Sequence, residues 1–172
     1  KLLIDRLAQY GEGVAVLFSG LMFGLFHGNL NQFVYAFVLG LCFGFIYVKT
    51  GNIRYTIGLH MLVNFLGSVL GVAILKWLGD DFLSIASDPA GMMSYMTGNF
   101  GKLIVYFIYI FLLLGVAIAG IILFIVNLKK IRFQPGMNTI PKGKRLSTTV
   151  LNVGMALYMI VWIVIIIVQL FQ

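Results

Sequence analysis

The amino-acid sequence predicts an all-α, polytopic bundle of transmembrane helices. Hydrophobic residues make up 61% of its 172 residues and charged residues only 10%, whereas soluble domains average roughly 45–50% and about 25%. Five apolar stretches approach or exceed the ~20 residues with which a helix crosses a bilayer. None of them alternates with the period of a barrel strand, and an open sheet edge cannot be satisfied in lipid.

The five predicted spans cover residues 13–27, 30–48, 53–75, 102–128 and 149–171. Five spans of ~20 residues use most of the chain, so residues 1–172 are predicted to form a single membrane domain. Glycine pairs four residues apart, which allow helices to approach closely in lipid, occur in the first three spans. They are Gly20 and Gly24, Gly40 and Gly44, and Gly67 and Gly71.

Loop charges predict how the spans are oriented. Bases dominate the opening segment and the loops after the second and fourth spans, whereas the other two loops are uncharged or hold more acids than bases. Because short cytoplasmic loops hold the excess Lys and Arg, we expect the basic segments in the cytoplasm and the C-terminus outside, in a bacterial plasma membrane. The bases concerned are Lys1, Arg6, Lys49, Arg54, Lys129, Lys130, Arg132, Lys142, Lys144 and Arg145.

The net charge of +7 is therefore interpreted as an orientation signal. It also favours contact with anionic membrane lipid. Nucleic acid is not an expected partner, because Phe133 is a single aromatic residue among the bases of the largest basic loop, and nucleic-acid binding favours several.

Few residues can carry acid, metal or thiol chemistry. Asp and Glu number five, and the one glutamate, Glu12, lies between Gly11 and Gly13, where we expect the membrane surface rather than a catalytic site. The one cysteine, Cys42, excludes an internal disulfide and a cysteine metal cage.

Both histidines fall inside spans, where ionisable residues usually mark functional sites. His27 ends the first span, four residues after Phe23, and His60 lies in the third span, four residues before Asn64. Residues four apart share a helix face. Imidazole can bind metal, carry a proton or donate to developing negative charge. Two histidines and an asparagine nevertheless lack the base or the full ligand set that activates water.

The segment from Phe18 to Gly67 resembles the CPBP family of intramembrane endopeptidases, which includes the CAAX prenyl proteases and the bacteriocin-processing Abi proteins. That family has three motifs on successive helices, EExxxR, FxxxH and HxxxN. FGLFH fits the second motif and HMLVN fits the third, with Thr50 and Gly51 between them. The family-like core extends over about residues 1–75. EExxxR is absent, and KLLIDRL looks like the segment that follows it, so we expect the C-terminal part of a longer protein.

The resemblance implies an endopeptidase that cleaves a peptide bond in a membrane-associated protein or peptide. It implies that His27 polarises the attacking water with support from Phe23, and that His60 and Asn64 stabilise the oxyanion or hold a metal. The implied cofactor is a divalent metal such as zinc, with His27 and His60 as ligands. Because the glutamates have no counterpart, the chain is expected to be inactive by itself. The substrate stays open among a prenylated protein, a peptide pheromone, a bacteriocin leader and an anti-sigma factor.

Two non-enzymatic alternatives remain: a scaffold or immunity-type protein with the same fold, and a bundle that binds haem between two histidines. Haem needs both imidazoles at one depth, whereas a rise of 1.5 Å per residue puts His27 about 21 Å and His60 about 12 Å from the cytoplasmic ends of their spans.

A transporter is disfavoured because no convincing internal repeat is found. The last two spans, with Trp162, are expected to contact lipid and anchor at the interface, and the loop from Gly79 to Gly101 is expected to be an amphipathic connector.

Overall fold

The computed structural model describes residues 1–138, 140–144, 147–148 and 151–171. Within these residues, regular structure is helical, and the sole β-type pairing is an isolated antiparallel bridge between Gly11 and Pro135. The predicted all-α class is confirmed. Arg145 and Thr149, which belong to the predicted basic loop and the last span, lie outside the described residues.

The helices follow one another with short connections. They are α1 (Leu2–Leu7), α2 (Glu12–Phe26), α3 (Leu30–Thr50), α4 (Ile53–Asn64), a π-helical turn (Phe65–Leu70), α5 (Gly71–Leu78), α6 (Phe82–Ala86), α7 (Pro89–Asn127) and α8 (Val153–Leu170). Short 3₁₀ turns cover Ala8–Tyr10, Leu128–Lys130 and Lys142–Lys144.

Among the residues described, four helices are long and apolar enough to cross a membrane. They are Leu30–Thr50, Ile53–Leu78, Pro89–Lys130 and Val153–Leu170. The first predicted span corresponds to α2, an apolar helix of 15 residues. At 1.5 Å per residue, α2 is about 22 Å long, less than the ~30 Å hydrocarbon core. The protein is an integral membrane protein, in which four helices of the described part of the chain reach spanning length and α2, the first predicted span, is shorter.

The helix that contains the fourth predicted span, residues 102–128, begins earlier than that span. Helix α7 begins at Pro89, and the Asp88 carboxylate accepts hydrogen bonds from the backbone N–H groups of Ala90 and Gly91 at 3.2 and 2.9 Å. Proline at the first helical position after an Asp cap is a strong start signal. Asn99 has non-helical angles, φ −128° and ψ 25°, so a kink separates the first part of α7 from the part predicted to span the membrane.

The chain forms two compact units. Unit 1 consists of Lys1–Leu59 and the described part of Phe133–Gln172, and unit 2 of His60–Arg132, so the boundary falls within α4. Each unit has its own buried cluster. The prediction of one membrane domain over residues 1–172 stays a prediction.

In unit 1, α2 and α3 pack with their backbones in contact. A methyl group placed on Gly40 would lie 2.9 Å from the Cα of Gly20, and one on Gly24 would lie 3.1 Å from the carbonyl oxygen of Phe33. On Gly44 it would lie 2.7 Å from the Ser19 hydroxyl. The predicted packing role of the first two glycine pairs is confirmed.

The third predicted glycine pair does not act as a pair. A methyl group placed on Gly67 would have no neighbour within 4 Å, whereas Gly71 approaches Tyr109. The π-helical turn lies between the two glycines. Only Gly71 of this pair therefore allows close approach of another helix.

The opening segment of unit 1 is covered by the chain that follows α7. The Tyr47 hydroxyl donates to Asp5 at 2.6 Å, which ties α1 to α3 beside the buried residues Ile4 and Ala15. The backbone N–H of Asn138 donates to the carbonyl of Gln9 at 2.9 Å. Residues 133–138, the docking segment, therefore lie against the start of α2.

Unit 2 contains a small apolar cluster where α5, α6 and α7 meet. Leu78, Phe82 and Leu103 are 2–3% exposed, and the Tyr95 hydroxyl donates to the carbonyl of Leu78. Much of the remaining surface of α4 and α7 is apolar and exposed. Lipid is the environment in which such a surface is stable. The predicted loop from Gly79 to Gly101 is largely helical, because it contains α6 and the first part of α7.

We expect Gly40→Ala to lower the free energy of unfolding by about 1–3 kcal/mol, because the added methyl group must separate two backbones in contact. The matched control is Gly115→Ala in α7, where no atom lies within 4 Å of the new methyl group. Denaturant titration in mixed detergent micelles measures both values. Equal effects for the two variants would contradict the backbone contact.

Candidate functional site

His27 stands at the end of α2, with its ring held in one orientation. Its Nδ1 atom lies 2.7 Å from the carbonyl oxygen of Phe23. A carbonyl oxygen can only accept, so Nδ1 carries the proton and donates. The other ring nitrogen, Nε2, then holds a lone pair in the neutral imidazole. His27 is thereby prepared to accept a hydrogen bond or to bind a metal through Nε2.

Two aromatic rings flank the imidazole of His27. The Phe23 ring meets it at 4.9 Å between centroids and 70°, and the Tyr35 ring at 6.4 Å and 65°. Both arrangements are edge-to-face, a favourable geometry for aromatic pairs. Phe23 thus contacts His27 through its ring and through its backbone carbonyl.

His60 and Asn64 lie on α4, one helical turn apart, and so share a face. His60 is half-buried and Asn64 is exposed. Asn64 is the last residue of α4 before the π-helical turn. π-helical turns often occur at functional sites, because they change the direction of side chains within a helix.

The structure brings His27 together with Phe23 in unit 1 and His60 together with Asn64 in unit 2. A single site that joins the two pairs stays a prediction. The same holds for the roles assigned to these four residues by the resemblance.

Glu12 lies at the other end of α2 from His27, and its contacts are structural. Its carboxylate forms an ion pair with Lys49 and accepts a hydrogen bond from the backbone N–H of Gln134 at 2.8 Å. Lys49 also lies 5.9 Å from the Phe45 ring centroid and 5.8 Å from that of Phe133. Glu12 thus joins α2, α3 and the docking segment.

The environment of Glu12 favours its charged form. Desolvation by itself would raise the pKa of this carboxyl. The hydrogen bond from Lys49, the backbone hydrogen bond from Gln134 and the charge of Lys49 together outweigh desolvation and lower the pKa below its ordinary value. A carboxylate held this way is a poor general base, because it does not readily take up a proton near neutral pH.

The described residues do not assemble a metal site. No group of three His, Cys, Asp or Glu side chains within them is placed to hold an ion. Catalytic zinc takes three protein ligands, so these residues do not fit zinc by themselves. The zinc prediction, with His27 and His60 as ligands, stays a prediction.

Sequence reasoning missed the residues of α8 that pack against the end of α2 on either side of His27. The Tyr158 hydroxyl donates to the carbonyl of Met22 at 2.8 Å, and the Trp162 ring lies 4.9 Å from that of Phe26. Gly28, with φ +62°, packs against Trp162 and Ile165. Trp162, for which lipid contact and interfacial anchoring are predicted, thus also packs against the end of α2.

One signal in the sequence could have indicated this contact. Tyr158 stands in a span that is almost entirely apolar, and a phenol surrounded by hydrocarbon needs a hydrogen-bond partner. This need predicts a hydrogen-bond acceptor for the Tyr158 hydroxyl on another helix.

The comparison with protein families gives one match. Residues 1–66, somewhat over a third of the chain, match the family described as type II CAAX prenyl endopeptidase Rce1-like. The matched segment contains Phe23, His27, His60 and Asn64. Searches of the curated proteins and of the solved structures gave no match.

We expect Gly28→Ala to destabilise the protein more than Gly51→Ala, by about 1 kcal/mol. Both glycines have φ near +60°, so each alanine carries the same left-handed backbone cost of about 1–2 kcal/mol. A methyl group on Gly28 would also lie 3.2 Å from Ile165 and 3.4 Å from Trp162, whereas Gly51 has no neighbour within 4 Å. Unfolding titrations measure the difference, and a shift of Trp162 fluorescence in Gly28→Ala alone identifies its origin. Equal losses would refute the packing of α8 on this turn.

We expect acidification to weaken the contact at Glu12. Because the pKa of Glu12 is lowered in the folded protein, its stabilising effect is complete above the ordinary glutamate pKa of about 4.3 and is lost as the pH falls through the lower, folded pKa. Glu12→Gln should therefore show a shallower loss of stability below about pH 4.3 than the wild type. If the unfolding free energy falls with pH equally steeply in the two proteins, the charged form of Glu12 does not stabilise the fold.

Proposed function

We propose that the protein takes part in intramembrane endoproteolysis, cleaving a peptide bond in a membrane-associated protein or peptide. The match of residues 1–66 to the type II CAAX prenyl endopeptidase Rce1-like family supports this proposal. The residues that we assign to the reaction are His27, His60 and Asn64, with Phe23 in support. All four lie within the matched segment.

The observation that carries the proposal is the orientation of the His27 ring. Because Nδ1 donates to the carbonyl of Phe23 at 2.7 Å, Nε2 is left as an acceptor. An imidazole in this tautomer can orient a water molecule and accept its hydrogen bond. The spacing of FxxxH has a physical reason here, since the helical carbonyl that lies four residues before the histidine accepts its ring proton.

His60 and Asn64 are assigned to the oxyanion. When water adds to the scissile carbonyl carbon, the carbonyl oxygen gains negative charge, and N–H donors placed near it lower the barrier. The amide of Asn64 has two such donors, and the imidazole of His60 can supply one. Collapse of the tetrahedral intermediate then breaks the C–N bond, and the departing nitrogen takes up the proton that the attacking water gave up to Nε2 of His27. Glu12, held by Lys49 and Gln134, has no part in this reaction.

We propose the cytoplasmic leaflet as the side on which Lys1, Lys49 and the basic loop after α7 lie. Contacts within unit 1 support a common side for these segments. Lys49 at the end of α3 pairs with Glu12 at the start of α2, and Gln134 of the docking segment donates to the same carboxylate. Substrates of the family's described activity, prenylated proteins, are anchored in a membrane leaflet by their lipid.

We expect His27→Ala and His60→Ala each to lower the rate of peptide cleavage by at least about 100-fold, the usual effect of losing a positioned acid, base or oxyanion donor. Asn64→Ala should lower it by a similar factor. The assay uses the protein expressed from its natural start codon, in native membranes, with a prenylated CAAX peptide as substrate.

The matched control for Asn64→Ala is Asn127→Ala, an amide in another apolar helix that bonds only to the carbonyl of Leu123 in its own helix among the contacts described. It should retain full activity. Membrane insertion, measured by carbonate extraction, should be unchanged in every variant. Full cleavage by the His27→Ala or His60→Ala protein would refute the role of that residue, and a Soret band in the purified wild type would favour haem binding instead.

A further inference from the structure

The helix that carries His60 and Asn64 changes type directly after Asn64. Phe65–Leu70 form a π-helical turn, and the backbone N–H of Gly71 donates to the carbonyl of Leu66, five residues earlier. A π-turn inserts one residue relative to an α-helix, so the side chains before it are rotated by roughly 100° relative to those after it. The direction of the HxxxN motif relative to α5 therefore depends on this turn.

One side chain from another helix contacts the π-helical turn through a hydrogen bond. The Tyr109 hydroxyl, from α7, donates to the carbonyl of Leu66 at 2.7 Å. This carbonyl also accepts the π-type bond from Gly71, so both of its lone pairs are engaged. A methyl group on Gly71 would lie 2.9 Å from the Tyr109 hydroxyl oxygen. The absence of a side chain at Gly71 therefore gives Tyr109 access to the turn.

The two ends of this helical segment differ in how they are packed. At the end of α5, Leu78 is 2% exposed in a cluster with Phe82 and Leu103. Before the π-turn, His60 is half-buried and Asn64 is exposed. Tertiary packing therefore holds α5 after the turn, and before it Ile53 at the start of α4 packs against the cluster of unit 1. The π-helical turn between them sets the rotation of the motif relative to α5.

We propose that Tyr109 is a positioning residue for His60 and Asn64, acting through the carbonyl of Leu66 and the π-helical turn. The inference rests on the proposed function for its consequence in the reaction. Tyr109 lies outside the segment that matches the family, residues 1–66. Through Tyr109, the largely apolar helix α7 would help to orient the HxxxN motif.

The chain contains two histidines, so ¹⁵N-histidine labelling gives two imidazole spin systems, which His27→Gln assigns. In Tyr109→Phe, which removes one hydroxyl group, the His60 resonances should shift while those of His27 stay in place. Gly71→Ala, which displaces the hydroxyl without removing it, should shift the same resonances. The matched control is Tyr95→Phe, since Tyr95 donates to the carbonyl of Leu78 on the same helical segment, beyond the π-turn. It should leave both histidines unchanged.

Kinetics tests the consequence for the reaction. With the prenylated CAAX peptide, Tyr109→Phe should lower kcat roughly tenfold with KM unchanged, because a displaced oxyanion donor weakens transition-state binding and leaves substrate binding intact. Tyr95→Phe should keep the wild-type kcat.

Unshifted His60 resonances in both Tyr109→Phe and Gly71→Ala would overturn the proposal, and so would a wild-type kcat in Tyr109→Phe. If the wild-type protein cleaves no substrate, the proposed function fails, and the His60 resonances still decide whether Tyr109 sets the geometry of the motif.

Discussion

The close contact between α2 and α3 is the constraint on which the rest of unit 1 depends. In lipid, the hydrophobic effect does not draw two apolar helices together, so association relies on dispersion contact at short range. Gly20 and Gly40 have no side chains, so the backbones of α2 and α3 come close enough for this contact. Both ends of α2 are placed by this contact: at one end Glu12 reaches Lys49, and at the other the ring of His27 meets that of Tyr35. A loss of contact between the glycines would therefore affect the charged cluster and the histidine together.

A common device holds the segments that carry the two motifs. In each case a tyrosine from a later helix donates its hydroxyl to a backbone carbonyl of a motif-bearing segment, Tyr158 to Met22 and Tyr109 to Leu66. The phenol is largely apolar and suits a lipid-facing helix, and its single donor is satisfied by the carbonyl. Such a bond fixes the rotation and depth of a helix without placing a charge in the membrane. Helices whose spans are almost entirely apolar can thereby orient a motif-bearing segment.

Sequence patterns predicted those features that depend on local periodicity. Hydrophobic runs gave the helical class, and the glycines of the first two spans gave the α2 and α3 interface. The start of α7 was missed although Asp88 and Pro89 carry a recognisable cap, because the polar residues that follow obscured the helix. The π-helical turn has no period of its own in the sequence and was not predicted. Gly67 was paired with Gly71, although only Gly71 contacts another helix. The tautomer of His27 depends on a backbone carbonyl, which residue identities do not encode.

The docking segment has a consequence for biosynthesis. The carboxylate of Glu12 receives its hydrogen bond from Gln134, which is 122 residues further along the chain. At a synthesis rate of about 5–20 residues per second, this partner emerges roughly 6–24 s after Glu12. Lys49, by contrast, is 37 residues away from Glu12 and follows within roughly 2–7 s. In the nascent protein, the ion pair between Glu12 and Lys49 can therefore form first and join α2 to α3. The docking segment reaches the start of α2 only after α7 has been made. Assembly of unit 1 is therefore a late event in synthesis, although most of its residues are translated early.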